Sequence, residues 1–220
     1  MFVMKKFLMN KKYWVAYSFT VILLVLIAIK IWTLFFSDHG YVELEAEIKT
    51  NEYDIAFGAD NAVVTIYMYS SYNCGFCTKF FNDVYPKLKT NFIDGGKVRL
   101  VVKPLVLGNN AAVQKATQAA ICVNKFGSFE KYHQLLIYEP QVVYTNEFKQ
   151  LLDDYISDNT EIAECLLDND DYSYLDGNMR DFKVLGLTGT PTFIIGKRVY
   201  KGYLDYNSID KIINGELKKE

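Results

Sequence analysis

The chain has 220 residues, half of them hydrophobic and 23% charged, with a formal net charge of −2. That length leaves room for one membrane segment and one domain of ordinary size, whose core needs few covalent staples. Four cysteines are too few for a disulfide-framework mini-protein. Charge is unevenly placed: residues 1–36 hold five lysines and no acid, so the other 19 basic and 26 acidic residues leave 37–220 at about −7. An acidic domain without basic runs argues against nucleic-acid binding.

Residues 1–12 form a short basic tail, with Lys5, Lys6, Lys11 and Lys12. From Trp14 to Phe36 the chain is apolar apart from Tyr17, Ser18, Thr20, Lys30 and Thr33. This stretch is long enough to cross a bilayer, and 13–36 is expected to be a transmembrane signal anchor. Lysines before it, and Asp38, Glu43, Glu45 and Glu47 after it, predict a single-pass protein with its N-terminus inside and its bulk outside. No small-residue cleavage site follows, since Leu34-Phe35-Phe36-Ser37-Asp38 is bulky and then acidic. The domain would then face an oxidising space, where disulfides persist.

Residues 37–60 read as a polar connector, with Tyr53–Gly58 a possible edge strand. Val63–Tyr69 is β-branched and aromatic, of strand length. Phe80, Phe81, Val84, Tyr85 and Leu88 then recur with the spacing of one helix face. Lys97–Leu107 reads as a second core strand, and its distance from the first suggests a parallel βαβ unit. Four helices follow, over 109–125, 128–138, 145–156 and 160–185, divided by Gly127, Pro140 and Asp158-Asn159. A glycine-bracketed loop, Gly186–Gly196, carries Thr190-Pro191 into a strand. Val199–Tyr203 supplies its hairpin partner, and 206–217 closes the chain as an amphipathic helix.

Cys74-Gly75-Phe76-Cys77 falls where the first strand ends and its helix begins. A helix N-terminus presents unpaired N–H groups and a partial positive charge, and both favour a thiolate on Cys74. The i, i+3 spacing brings Cys77 within reach, so a mixed disulfide on Cys74 could be resolved there without metal or organic cofactor. A zinc site or a structural disulfide would fit the same spacing. Zinc, however, wants a second close pair, and Cys122, Cys165, His39 and His133 have no ligand-spaced partners. His133 reads as a surface or packing residue rather than an acid–base catalyst.

Tyr69–Cys77 joined to Gly189-Thr190-Pro191-Thr192-Phe193 resembles a thioredoxin fold. The helical block inserted between those two anchors (about 109–185) resembles the DsbA-like thiol:disulfide oxidoreductases, over roughly residues 60–216. The resemblance implies an α/β domain, 61–220, with an inserted helical subdomain. Within it Cys74 would be the nucleophile, Cys77 the resolving thiol and Pro191 a cis-proline facing them. The Thr190 backbone, with Gly75 and Phe76, would meet an extended substrate. Cys122 and Cys165, on apolar helix faces, look similar to the second, non-catalytic bridge that some of these proteins carry in the insertion; two buried free thiols are the alternative. Two positions depart from the family pattern. Met68 stands where many thioredoxin-fold enzymes hold a buried acid, and the Gly75-Phe76 dipeptide is neither Pro-His nor Gly-Pro. The implied protein is a bacterial inner-membrane oxidase that faces the periplasm. It would act on reduced substrate proteins and be re-oxidised by a membrane partner. A disulfide isomerase, a reductase, or a metal-carrying binding module of the same fold are the alternatives.

Overall fold

A computed structural model describes residues 11–36, 41–45, 47–127, 129–167 and 170–219. Most of the expected basic tail 1–12, together with Asp38 and His39, lies outside them. The chain divides into two units, Met1–Gly40 and Tyr41–Glu220. The first holds helix α1 (Lys11–Phe36), whose described side chains, Trp14 and 17–30, are all exposed. Among the described residues no helix is long and apolar enough to cross a membrane. The expected transmembrane segment 13–36 is therefore not supported by the described residues.

The second unit is built on one mixed sheet of order β1-β6-β5-β3-β4-β2. Its strands are β1 (Tyr41–Glu43), β2 (Ile55–Phe57), β3 (Val64–Ser70), β4 (Val98–Pro104), β5 (Thr192–Ile195) and β6 (Arg198–Lys201). The central pair, β3 and β4, is parallel, with Met68 beside Val102 and Tyr69 beside Lys103. β5 runs antiparallel to β3, setting Phe193 beside Met68 and Thr192 beside Tyr69. Alternation along the strands sends these residues to opposite faces. Ile66, Met68, Leu100, Val102 and Phe193 join one core with Cys77, Phe80, Phe81, Ile209 and Ile213. Tyr69 and Ile194 join the other with Leu105, Phe182 and Leu187.

Helix α2 (Gly75–Asp83) buries Cys77, Phe80 and Phe81 against the first face, with Phe80 and Phe193 ring centroids 4.9 Å apart. Burying a ring such as Phe80 contributes about 1.5–3 kcal/mol over leaving it exposed. The single helix expected through Leu88 is in fact interrupted. α2 caps at Val84, α3 (Tyr85–Leu88) restarts with Pro86 in its first turn, and a π-helical turn (Lys89–Ile93) follows. Proline lacks the N–H that would continue the earlier ladder, which places it at a helix start. β4 likewise stops at Pro104 rather than reaching Leu107.

Among the described residues the inserted region holds α4 (Ala111–Phe126), α5 (Phe129–Tyr138), α6 (Asn146–Asp158), α7 (Thr160–Leu167) and α8 (Asp170–Val184), with a 3₁₀ turn at Pro140–Tyr144. Side-chain caps explain several starts. Asn110 Oδ1 accepts from Val113 N–H, Thr145 Oγ1 from Phe148 N–H, and Asn159 Oδ1 from Glu161 and Ile162 N–H. The helix expected over 160–185 is described over Thr160–Leu167 and Asp170–Val184, and residues 168–169 lie outside the described residues. α9 (Tyr206–Leu217), capped by Asp205, returns to the Cys77 face. Strand β1, pairing with β6 at the far edge, arises inside the stretch read as connector.

Cys122 on α4 is bonded to Cys165 on α7, 43 residues away, with Cα atoms 5.8 Å apart. Closing a loop of that length restricts the unfolded chain and stabilises the fold by about 2–4 kcal/mol. Replacing both with alanine is expected to lower the unfolding free energy by that amount in urea titration. An unchanged midpoint would mean that the bridge does not constrain the unfolded chain.

Candidate active site

The first half of the site grows from β3. At its C-terminal end the chain turns, with Cys74 N–H donating to the Ser71 carbonyl at 3.1 Å, and Cys74 becomes the N-cap of α2. Its backbone is extended, as an N-cap requires, and its sulfur takes the role usually given to a Ser or Asp oxygen. The Cys77 N–H donates to Cys74 Sγ at 3.3 Å. Cys74 is half-buried and Cys77 is fully buried; the two are free thiols here.

β5, the antiparallel neighbour of β3, delivers the second half. The Thr190–Pro191 peptide bond is cis, an isomer that is inexpensive only before proline. The Thr190 carbonyl oxygen lies 3.2 Å from Cys74 Sγ, positioned to accept from its thiol. The Pro191 carbonyl accepts from Gly202 N–H at 2.9 Å, and the Thr192 hydroxyl donates to the Gly189 carbonyl at 2.6 Å. Cys74, Cys77, Thr190 and Pro191, more than a hundred residues apart in sequence, are thus brought together. Phe76 is 62% exposed beside them, and Gly75 is open, with nothing near the position of a Cβ.

The two sulfurs differ sharply in acidity. Hydrogen bonding from the Cys77 thiol, joined by the Thr190 hydroxyl and the Cys77 and Phe76 N–H groups, outweighs partial burial and lowers the Cys74 pKa to about 6. Burial, and the bond it makes to Cys74, push the Cys77 thiol far up. Cys74 is therefore mostly thiolate at pH 7 while Cys77 keeps its proton. The site is a nucleophilic sulfur with a neutral thiol donor behind it and a peptide backbone edge in front.

Other groups lie apart. Met68 packs in the core beside Phe193 and Val102, with no acid at its position. His133, on α5, is buried among Phe57, Tyr72 and Phe81; its Nδ1 is 3.1 Å from Tyr72 Oη, and burial lowers its pKa to about 3. It is a neutral packing residue. Among the described residues no group of three or more His, Cys, Asp or Glu could hold a metal ion. Sequence reasoning missed a buried ion pair on the opposite face, Lys103 to Asp54 at 2.9 and 3.0 Å, with Tyr174 donating to the same carboxylate at 2.5 Å. One sign was visible, a lysine at the end of the apolar run Leu100-Val101-Val102 of β4.

A sequence profile of the thioredoxin family matches residues 50–215. The chain belongs to the thioredoxin family. It is 28% identical to disulfide bond formation protein D of Bacillus subtilis over 169 residues, covering 73% of this chain and 76% of that one. A candidate protein-disulfide oxidoreductase of Rickettsia prowazekii is 24% identical over 184 residues, 78% of this chain and 66% of that one. The crystal structure of oxidised BdbD from Bacillus subtilis superposes with a TM-score of 0.63 at 23% identity, covering 81% of this chain and 98% of that one. Wolbachia pipientis alpha-DsbA1 superposes at 0.62 with 20% identity, covering 76% and 94%. The protein is a DsbA-like thiol:disulfide oxidoreductase of this family.

The Cys74 pKa sets a pH signature. In the reduced protein the folded-state value lies below the unfolded one, about 8.5. Its stabilising contribution is therefore fully present above the unfolded pKa and is lost as pH falls through about 6. Iodoacetamide should modify Cys74 with a rate whose midpoint lies near pH 6, and Cys77 should stay unmodified. A midpoint near 8.5 would contradict the hydrogen-bonded thiolate.

Proposed function

We propose that this protein is an oxidase, passing a Cys74–Cys77 disulfide to pairs of cysteines in extracytoplasmic proteins. A substrate thiolate attacks Cys74 Sγ, a mixed disulfide forms, and Cys77 leaves and takes up a proton. The second substrate thiol then attacks the mixed disulfide at the substrate's own sulfur, and Cys74 departs as a thiolate. The substrate loses two electrons and gains a disulfide, and the protein ends as the dithiol.

The low Cys74 pKa carries this reading. A stabilised thiolate is a good leaving group, and it favours the reduced protein over its own disulfide, which makes that disulfide oxidising. Redox equilibration with glutathione is the test. The expected potential is less negative than about −200 mV; a value near that of thioredoxin, about −270 mV, would point to a reductase instead. In cells, Cys74→Ala should abolish exchange, whereas Cys77→Ala should accumulate mixed disulfides with substrates. Re-oxidation between cycles is assigned to a membrane partner on the strength of the family likeness.

Placement outside the cytoplasm, in the bacterial inner membrane with the domain facing the periplasm, rests on sequence. Lysines precede the apolar 13–36 stretch and acids follow it, which supports an anchor with the domain outside. Protease added to spheroplasts should degrade the domain, and carbonate washing should leave the chain in the membrane fraction. Protection from protease would reverse the orientation, and release by carbonate would remove the anchor.

A further inference from the structure

Thr192 opens β5 fully buried, with its backbone paired between Tyr69 of β3 and Lys201 of β6. It is therefore fixed by the sheet. A buried strand position of that shape is filled equally well by valine, and a buried hydroxyl is unfavourable unless it is bonded. Here the hydroxyl turns back across Pro191 and donates to the Gly189 carbonyl at 2.6 Å. On the far side of the proline, the Gly202 N–H holds the Pro191 carbonyl at 2.9 Å. Between those two anchors lies Thr190, whose carbonyl is 3.2 Å from Cys74 Sγ.

We propose that Thr192 is a positioning residue for disulfide exchange: its bond to the Gly189 carbonyl holds the Thr190 backbone level with Cys74 Sγ, so that an extended polypeptide meets the sulfur in register. Thr192 touches neither sulfur nor substrate. Its effect falls on thiols that must dock along the loop backbone, and it spares a small dithiol that needs only the sulfur. The inference rests on the exchange reading above.

The test compares full-length T192V, which keeps shape and strand propensity but loses the donor, with T192S, which keeps the donor. The oxidised proteins are mixed separately with a short extended peptide carrying two cysteines and with dithiothreitol. In each reaction the reagent's two thiols become a disulfide, the Cys74–Cys77 bond is reduced to two thiols, and two electrons pass to the protein. T192V should slow the peptide reaction about tenfold, the scale of a small misplacement of reacting groups. The dithiothreitol rate should stay within about twofold, and T192S should regain most of the peptide rate. An unchanged peptide rate in T192V, an equal fall with both reagents, or no recovery in T192S would each overturn the proposal. A wild-type protein that oxidises neither reagent would bring down the exchange reading, and this inference with it.

Discussion

The hydrogen bond from the Cys77 N–H to Cys74 Sγ, 3.3 Å long at the first turn of α2, is the interaction on which the site depends. It exists because the helix begins at Cys74, and the helix begins there because β3 ends there. The Cys77 N–H is shared between the Cys74 carbonyl, at 3.0 Å, and the Cys74 sulfur, and the aligned peptide dipoles add to the effect. Mobility in α2 would blur that geometry. The buried Phe80 and Phe81, packed against Phe193 and the rest of the core, give α2 a rigid seat. The hydrophobic core is thus part of the sulfur's chemistry, since its packing fixes where the donors point.

The sheet solves a second positional problem. A loop that faces Cys74 must come from another part of the chain, and β5 supplies it by pairing antiparallel to β3 in a register that sets Thr192 beside Tyr69. Slipping β5 by one residue would exchange its faces, exposing Phe193 to the Tyr69 side and carrying the cis-proline away from the sulfur. Burial of both faces makes such a slip costly. The helical insertion separates the two halves of the site in sequence without disturbing this register, because α4 to α8 leave after β4 and return before β5.

Much of this was legible because it is local or periodic. The strand–CxxC–helix junction, the Thr-Pro loop, the two central strands and the closing helix all announce themselves by side-chain spacing and turn chemistry. The break between α2 and α3 was visible as Pro86, yet the apolar spacing ran straight through it and outweighed the proline. Strand β1 was hidden because three exposed residues carry no burial pattern; only its partner β6 makes it a strand. The Asp54–Lys103–Tyr174 cluster joins residues 49 and more apart, and no local pattern encodes such a meeting. The Thr192 hydroxyl was equally silent, since threonine in a strand reads first as a β-branched filler.

Burial of Cys77 gives the pair of cysteines its particular balance. It keeps Cys77 protonated, and its thiol turns to Cys74, where that bond is the largest influence lowering the pKa. The depth of one sulfur thereby sets the charge of the other. A buried neutral thiol and a thiolate nearer the surface are two sides of one arrangement, in which Cys77 stabilises Cys74 in the reduced state by holding on to its own proton.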